Sequence, residues 1–370
     1  MKIGVLTSSR ADYGIYLPLL NKLLEDPYFN LEIIAFGTHL SKSHGFTVEE
    51  IEKTKFSKIH KISTLLSNDD ESSIATSYGL TVIKFADFWS KNKFDLVFCL
   101  GDRFEMSAAV QAGIPFGIQY AHIHGGETTL GAIDNIYRHQ ITLASFLHFT
   151  AAKQFTSKII ELIGENKHVY NFGALSLDDF ENFKPIEKNV FFAKFNIPHR
   201  DFVLATFHPE TISPELNQSY AKEMRLALQK ISKNIFLIIT MPNADTKGSI
   251  FRSEIEILQN ESPDQVLCIE NFGRENYFSA MAYAKLLIGN TSSGILEAAS
   301  LGKFVINVGN RQSGRLQSEN VINVPFLESS IVNEFNNILQ KANYDGGNVY
   351  YQNNTASNII KEIKKYNASI

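Results

Sequence analysis

The sequence contains only two cysteines, Cys99 and Cys268, and each lies inside an apolar stretch. A disulfide framework needs several cysteine pairs, and a structural zinc site needs closely spaced cysteines or histidines. Neither pattern is present. We therefore expect two buried thiols in a reducing compartment and no metal site.

Long apolar runs are absent as well. The N-terminal stretch MKIGVLTSSRADYG carries one lysine and a short apolar segment, which is too short for a signal peptide and predicts a first strand instead. No run approaches the roughly 18 apolar residues that a membrane span requires. We therefore expect a cytoplasmic protein with no membrane partner.

An excess of basic charge and the common phosphate-binding motifs are also missing. The net charge of −4 does not favour a nucleic-acid partner. No GxGxxG follows the first strand, which argues against a redox dinucleotide, and no P-loop motif GxxxxGK[ST] occurs either. The nearest glycine-lysine stretch, ASLGKFV, lies at a predicted helix end. We predict that the protein uses no cofactor.

What the sequence has is a regular alternation of short apolar runs and helical patterns. A length of 370 residues favours two domains, and 44% hydrophobic with 20% charged residues is typical of a globular protein. Alternation of this kind predicts a parallel sheet with helices on both faces. The predicted strands of the first half lie in KIGVLTS, LEIIAFG, DLVFCLGD, FGIQYAH and FLHFTAA.

The pattern weakens over residues 174–200 and then resumes. The charged stretch there contains two prolines and is typical of an interdomain passage. The strands predicted after it lie in FVLATFHP, IFLIITMPN, VLCIEN, KLLIGNTSSG and KFVINVGN. We therefore predict an α/β protein of two doubly wound, Rossmann-like domains that face each other across a cleft.

Polar side chains follow the predicted strands at their carboxyl ends, where doubly wound sheets bind ligands. A single such residue is often only a surface residue, but many of them at one edge favour a binding site. In the first half they are Arg10, Asp102, Arg103 and the group His122, His124 and Glu127, and in the second half His208, Asn243 and Arg311.

The stretch GNTSSGILEAASLGK follows another strand and favours a phosphate site. Ser292, Ser293 and Gly294 offer backbone and hydroxyl donors at a predicted helix start. Glu297, predicted one turn into that helix, is suited to two ribose hydroxyls. A plain N-cap followed by an acidic first turn is the alternative interpretation.

The loop AHIHGGETTLGAIDNIYRH concentrates proton-transfer groups beside two glycines. His122 and His124 alternate along a strand end and point to opposite faces, which makes a poor metal site. Asp102, Glu127 and Asp134 could instead converge and raise one another's pKa, as general acid–base chemistry near neutral pH requires. The alternative is a structural loop in which Asp134 caps a helix.

These motifs together resemble the hydrolysing UDP-N-acetylglucosamine 2-epimerases of the NeuC type. The resemblance runs in order from Thr7 to Arg315 and is carried by TSSRADYG, FGTHLSKSHGFT, LGDRFE, HIHGGETT, RHQIT, FHPET, PNADT, GNTSSGILE and GNRQSGR. It implies the GT-B-like arrangement of two Rossmann domains. The implied domains are residues 1–174, rejoined by the C-terminal helix 354–370, and residues 175–353.

The reaction implied by the resemblance converts UDP-N-acetylglucosamine and water into UDP and N-acetylmannosamine, for sialic-acid synthesis. Anti-elimination of UDP gives 2-acetamidoglucal, and water then adds. The implied diphosphate contacts are Arg10, His208 and Ser292–Gly294. Asn243, Arg311 and Arg103 would help to hold the substrate, with Glu297 on the ribose. Asp102, Glu127 and Asp134 are the acid–base candidates, with roles left open.

One position departs from the pattern of many relatives. They carry H-x-E-G-G-E, whereas this sequence has His124 at the third position. Glu127 or His124 itself would then take the role of the missing glutamate.

Other functions share most of these motifs. A similar hydrolysing enzyme acts on nucleotide-linked N,N'-diacetylbacillosamine, and a non-hydrolysing epimerase would return UDP-N-acetylmannosamine. A GT-B glycosyltransferase would share the nucleotide contacts without this carboxylate group. A non-catalytic sugar-nucleotide-binding regulator would bind UDP without turnover. The expected partners are a UDP-sugar, UDP and a second copy of the chain in a homodimer.

Overall fold

The structure is a computed structural model that describes residues 1–42, 45–66, 68, 70–128, 130, 133–178, 180–210, 214–242, 248–270 and 272–368. The chain divides into two compact units. The N-terminal unit comprises Met1–Thr128, Ile133–Asp179 and Tyr350–Ile370. The C-terminal unit comprises Phe180–Val349 together with Thr129–Ala132.

Strands and helices alternate along most of the chain. The strands are β1 (Lys2–Thr7), β2 (Asn30–Phe36), β3 (Lys58–Ile62), β4 (Leu96–Leu100), β5 (Tyr120–Ile123), β6 (Leu147–Thr150), β7 (Val169–Asn171), β8 (Phe202–Thr206), β9 (Phe236–Thr240), β10 (Val266–Ile269), β11 (Leu287–Gly289), β12 (Val305–Val308) and β13 (Val321–Val324). The α-helices are α1 (Arg10–Glu25), α2 (Val48–Glu52), α3 (Glu71–Lys91), α4 (Phe104–Gly113), α5 (Asp134–Ala144), α6 (Lys153–Ile163), α7 (Lys188–Lys194), α8 (Asn217–Ser232), α9 (Gly248–Glu261), α10 (Arg274–Tyr283), α11 (Ser292–Leu296), α12 (Glu328–Leu339) and α13 (Thr355–Ala368).

Each unit is built on one parallel sheet. The N-terminal sheet has the order β3-β2-β1-β4-β5-β6-β7, and the C-terminal sheet has the order β10-β9-β8-β11-β12-β13. Every described strand pairing is parallel. In both sheets the strand order reverses direction beside the first strand of the unit, between β1 and β4 and between β8 and β11. Loops diverge at such a switch point and leave room for a ligand at the carboxyl ends of the strands.

Alternating side chains of the central strands fill two apolar cores in each unit. In β1, Ile3 and Val5 join one core, whereas Leu6 joins the core on the other face. In β8, Val203 and Leu204 divide in the same way. Both faces of each sheet are therefore covered, which requires the near-continuous apolar runs seen in the sequence. The prediction of two doubly wound α/β domains is confirmed.

The C-terminal helix α13 packs within the N-terminal unit. Ala356, Ile359 and Ile363 join the core that contains β1 and α1. The Thr355 hydroxyl donates to the Phe172 carbonyl at 2.6 Å, and the Ala356 N–H donates to Asp178 Oδ1 at 2.8 Å. These bonds satisfy the Phe172 carbonyl and the Ala356 N–H, and they fix the start of α13 against the N-terminal unit.

Three strands were missed by the sequence analysis, and all three lie at a sheet edge. They are β3, β7 and β13. Their residues are largely half-buried or exposed. An edge strand buries less side-chain surface, and β3 (KIHKI) and β7 (VYN) accordingly carry little apolar signal. β13 was missed although its sequence, VINV, is the same as that of the predicted strand β12. In the described part of the chain, no helix is both long enough and apolar enough to cross a membrane.

Candidate active site

The loop after β1 is organised by a buried carboxylate, Asp12. It accepts hydrogen bonds from the backbone N–H and hydroxyl of Ser8, at 2.9 and 2.7 Å, and from those of Ser9, at 3.1 and 2.7 Å. Ser9 and Asp12 form a capping box that starts α1. Asp12 was missed in the sequence analysis, although Ser-x-x-Asp before an apolar helix is the signal for such a box.

Arg10 is the first residue of α1, and its side chain is 44% exposed. Its Nε lies 3.9 Å from Glu50 Oε2, a surface pair of little energetic weight. The predicted diphosphate contact is thus an exposed cation at the carboxyl end of β1.

His39 is a second residue near this loop that the sequence analysis did not select. Its ring nitrogens lie 2.9 Å from Thr7 Oγ1 and 2.8 Å from Thr47 Oγ1. Burial lowers the pKa of His39 to about 4, even though the Asp12 charge acts in the opposite direction. The ring is therefore neutral at pH 7 and ties β1 to the segment before α2.

Arg138 of α5 connects two of the predicted acids. Its Nη2 donates to the Asp102 carboxylate, and its Nη1 donates to the Glu127 carbonyl at 2.8 Å. The guanidinium is buried. Arg138 lies in the RHQIT motif but was not selected as a site residue, because nothing local to the sequence indicates its partners.

Arg103 forms an ion pair with Glu105 rather than with Asp102. Its Nη2 donates to Glu105 Oε1 at 2.9 Å, and Glu105 is buried at the start of α4. Arg103, predicted to bind substrate, is therefore held by an ion pair with its own helix.

Asp134 is the first residue of α5. Burial raises the pKa of its carboxyl group, and the negative charge of Asp102 raises it further. The helix-cap alternative does not hold for this residue, because the N-cap position is occupied by Ile133. A carboxyl group that keeps its proton to higher pH is suited to act as a general acid.

The two histidines of the HIHGGE loop have different environments. His122 Nε2 lies 2.9 Å from the Gly101 carbonyl and Nδ1 lies 3.1 Å from Thr142 Oγ1, so both nitrogens have partners. Burial lowers the pKa of His122 to about 3, which makes it a neutral structural residue at pH 7. His124 Nδ1 instead lies 2.7 Å from Glu127 Oε1. Within the described residues, no group of three or more His, Cys, Asp or Glu is arranged to hold a metal ion.

In the C-terminal unit, His208 and Asn290 join the ends of β8 and β11. The His208 N–H donates to Asn290 Oδ1 at 2.8 Å, and Asn290 Nδ2 donates to the His208 carbonyl at 2.9 Å. Burial lowers the pKa of His208 to about 3, and the Arg311 charge lowers it further. His208 therefore enters any reaction near neutral pH as a neutral imidazole.

The loop after β12 is attached to the same two strand ends. Arg311 Nη1 and Gln312 Nε2 donate to the Asn290 carbonyl at 3.2 and 2.8 Å. The Asn310 N–H donates to Glu210 Oε1 at 2.5 Å, and Glu210 lies two residues after His208. Hydrogen bonds thus fix the three loops of the C-terminal site relative to one another. Glu210 and Asn290 were missed as site residues, although FHPET and GNTSSG contain them.

The GNTSSG turn carries a shorter helix than predicted. Helix α11 ends at Leu296, and Glu297 connects it to a 3-10 helix over Ala298–Leu301, as the C-cap of the first and the N-cap of the second. The turn is tightly packed, because a Cβ atom on Gly294 would lie 2.9 Å from Val305 Cγ1.

Glu297 is buried near a cation that the sequence analysis did not select. Burial lowers the pKa of the Arg274 guanidinium, and the Glu297 carboxylate acts in the opposite direction. Asn243, predicted to hold the nucleotide, lies outside the described residues.

A family model described as UDP-N-acetylglucosamine 2-epimerase matches residues 21–364 of the chain. The chain belongs to this family. The recognition made from the motifs is therefore confirmed, and the family is one of sugar-nucleotide 2-epimerases.

Individual relatives agree with this assignment. The chain is 36% identical to the GDP/UDP-N,N'-diacetylbacillosamine 2-epimerase (hydrolyzing) of Campylobacter jejuni over 87% of this chain and 83% of that protein. It is 31% identical to polysialic acid biosynthesis protein P7 of Escherichia coli over 99% and 94% of the two chains. The solved structure of UDP-GlcNAc 2-epimerase from Neisseria meningitidis bound to UDP-GlcNAc shares the fold, with a TM-score of 0.82, 18% identity and coverage of 99% and 100%.

In this member of the epimerase family, the predicted residues form two groups. Asp102 and Glu127 both contact Arg138, and His124 contacts Glu127. Asp134 lies close enough to Asp102 to respond to its charge. In the C-terminal unit, His208 and Arg311 are joined through Asn290. Arg10 and Arg103 have carboxylate partners outside both groups.

Proposed function

We propose that the protein is a hydrolysing 2-epimerase that converts UDP-N-acetylglucosamine and water into N-acetylmannosamine and UDP, for sialic-acid synthesis. The observation that carries the proposal is the group of proton-transfer residues around Arg138. A glycosyltransferase or a binding regulator would have no need for Asp102, Asp134 and a histidine–carboxylate pair in one unit. Epimerisation at C2 needs two proton-transfer groups, because the proton leaves one face of the carbon and returns to the other.

The first stage removes the C2 proton and expels UDP. The C2–H electron pair forms the C1–C2 double bond, and the C1–O pair leaves with the diphosphate, which gives 2-acetamidoglucal. In the second stage a water oxygen bonds to C1 and the water gives up one proton to a carboxylate of this group, while the double-bond pair takes a proton at C2 on the opposite face. The raised pKa of the Asp134 carboxyl favours its role as the acid of this stage.

The departing diphosphate needs donors that are already in place. Neutral His208, the Ser292 N–H, the hydroxyls of the Ser292–Gly294 turn and the Arg10 guanidinium are the proposed set, since the N–H groups of Ser293 and Gly294 already donate to Thr291. Preorganised donors of this kind stabilise developing charge at little reorganisation cost. Arg311 supports them from the loop after β12, since it shares the Asn290 carbonyl with Gln312. Buried Glu297 is proposed to accept the ribose hydroxyls.

A second candidate substrate is UDP-linked N,N'-diacetylbacillosamine. It is favoured by the 36% identity to the Campylobacter jejuni relative that carries this substrate in its name. The same two-stage chemistry applies, because both sugars carry an acetamido group at C2. The two candidates differ at C4 and C6, far from the bonds that change.

An NMR time course in D2O with each of the two sugar nucleotides tests the proposal. We expect free UDP and a released 2-epimeric sugar that carries deuterium at C2. In H2¹⁸O the label should enter at C1. Retention of the original hydrogen at C2 would contradict elimination followed by addition. A product still attached to UDP would instead indicate a non-hydrolysing epimerase, and UDP binding without turnover would indicate a regulator.

A further inference from the structure

His124 has an unusual backbone conformation. Its φ angle is +64°, in the left-handed region that few non-glycine residues adopt. Its N–H donates to the Phe149 carbonyl of β6 at 3.0 Å. Two residues later, a Cβ atom on Gly126 would lie 2.5 Å from the Phe155 carbonyl of α6. The loop is therefore held tightly against β6 and α6, and the strained backbone fixes the position of the imidazole.

The two ring nitrogens of His124 are in different states. Nδ1 lies 2.7 Å from Glu127 Oε1, and an ionised carboxylate can only accept hydrogen bonds. Nδ1 therefore carries a proton towards Glu127, which leaves Nε2 as the nitrogen that can present a lone pair. Nε2 is buried without a hydrogen-bond partner among the described residues, in a side chain that is only 9% exposed. A buried acceptor left without a donor is energetically unfavourable.

Charged and titratable neighbours act on this ring from several elements. Glu127 contacts it directly, and Arg138 of α5 donates to the Glu127 carbonyl. From β5, His122 is close enough that a charge on His124 would contribute to lowering its pKa. From α6, Lys158 donates to Thr128 Oγ1 at 2.8 Å. Glu127 is thus the anion in direct contact with His124, and its backbone is fixed by Arg138.

We propose that His124 Nε2 is the atom that takes the C2 proton of the bound sugar, with Glu127 as a positioning residue. The inference rests on the proposed function and assigns one step of it. The Nε2 lone pair forms the new N–H bond, the C2–H pair forms the C1–C2 double bond, and the C1–O pair departs with UDP. Glu127 stabilises the imidazolium that results and keeps the ring in the productive tautomer.

His124→Asn tests the base, and His168→Asn is a matched control. Asn tolerates a positive φ, and its amide can still donate towards Glu127, but it has no titrating nitrogen. His168 also has a positive φ, of +63°, and lies outside both groups of site residues. We expect His124→Asn to lose about 10²–10⁴-fold in turnover while UDP affinity is kept. We expect His168→Asn to match the native enzyme. Turnover of His124→Asn within tenfold of native would overturn the proposal.

Glu127→Gln separates the two residues of the pair. The neutral amide cannot stabilise the imidazolium, so the acid limb of the kcat/KM profile should move to lower pH with KM little changed. The variant should also retain more turnover than His124→Asn. A loss as large as that of His124→Asn, with the limb unmoved, would assign proton transfer to Glu127 and overturn the proposal. Absence of turnover by the native protein on both sugar nucleotides would overturn the proposed function itself, before any variant is compared.

Discussion

Asn290 is the residue whose removal should most clearly disrupt the C-terminal site. It is fully buried, and its side chain makes two hydrogen bonds with the backbone of His208. Asn290→Ala removes both of these hydrogen bonds from the backbone N–H and C=O of buried His208. Each such loss at a buried group costs about 1–3 kcal/mol, so we expect the variant to lose about 2–6 kcal/mol of unfolding free energy.

Two further variants make this prediction specific. Asn290→Asp keeps the acceptor for the His208 N–H but places a carboxylate oxygen against the His208 carbonyl, so it should also be strongly destabilised. Asn323→Ala is the matched control, because Asn323 is an exposed residue whose side chain bonds only to other side chains. Loss of such exposed contacts should cost less than about 1 kcal/mol.

Urea denaturation followed by circular dichroism measures these free energies, and hydrogen exchange measures the protection of the His208 amide. We expect Asn290→Ala to lower both the unfolding midpoint and this protection, and to weaken UDP binding in calorimetry, because the loops after β8 and β11 lose the side-chain hydrogen bonds that join them. An Asn290→Ala variant as stable as Asn323→Ala, with a protected His208 amide, would refute the reasoning.

Three other changes test separate features of the molecule. Ser293→Asp should place a negative charge against the proposed diphosphate site and abolish measurable UDP binding in calorimetry. The control Ser253→Asp, on the exposed face of α9, should bind UDP normally. Unchanged UDP affinity in a folded Ser293→Asp variant would remove this turn from the site. The pKa of His122 is lowered from 6.5 to about 3 in the folded state, so the unfolded chain binds more protons than the folded chain between these two values. The unfolding free energy should therefore fall by about 3 kcal/mol through this residue as pH falls from 7 to 4. His122→Gln should flatten the pH dependence of the urea midpoint, and an unchanged slope would contradict the assignment. Gly289→Ala should prevent folding of the C-terminal unit, because its Cβ would lie 1.8 Å from the Thr206 carbonyl oxygen. The control Gly79→Ala has open space around the new Cβ and should stabilise α3 by about 0.5–1 kcal/mol in thermal melts, because alanine favours a helix more than glycine does.

The central strands of both sheets could be predicted from the sequence because burial on both faces demands continuous apolar residues. β1, β4, β8 and β9 are almost wholly buried, and all four were predicted. The position of polar residues directly after these strands also followed from the sequence, since the carboxyl end of a strand is a local feature of the chain. The edge strands β3 and β7 carried no comparable signal, because one side of each has no neighbouring strand and its side chains remain half exposed. The edge strand β13 was missed for no such reason, since it has the same sequence, VINV, as β12.

The partners of the site residues were decided by tertiary structure alone. Arg138 and Asp102 are separated by 36 positions in the chain, His208 and Asn290 by 82, and Glu210 and Asn310 by 100. No local pattern relates residues so far apart. The two pairs of the C-terminal unit meet because the strand order brings the ends of non-consecutive strands together, and Arg138 reaches Asp102 from the helix after the neighbouring strand β5. The same is true of the His124 environment. The sequence indicates a histidine and a glutamate three residues apart, but only packing against β6 and α6 imposes the backbone conformation that leaves Nδ1 on Glu127 and buries Nε2.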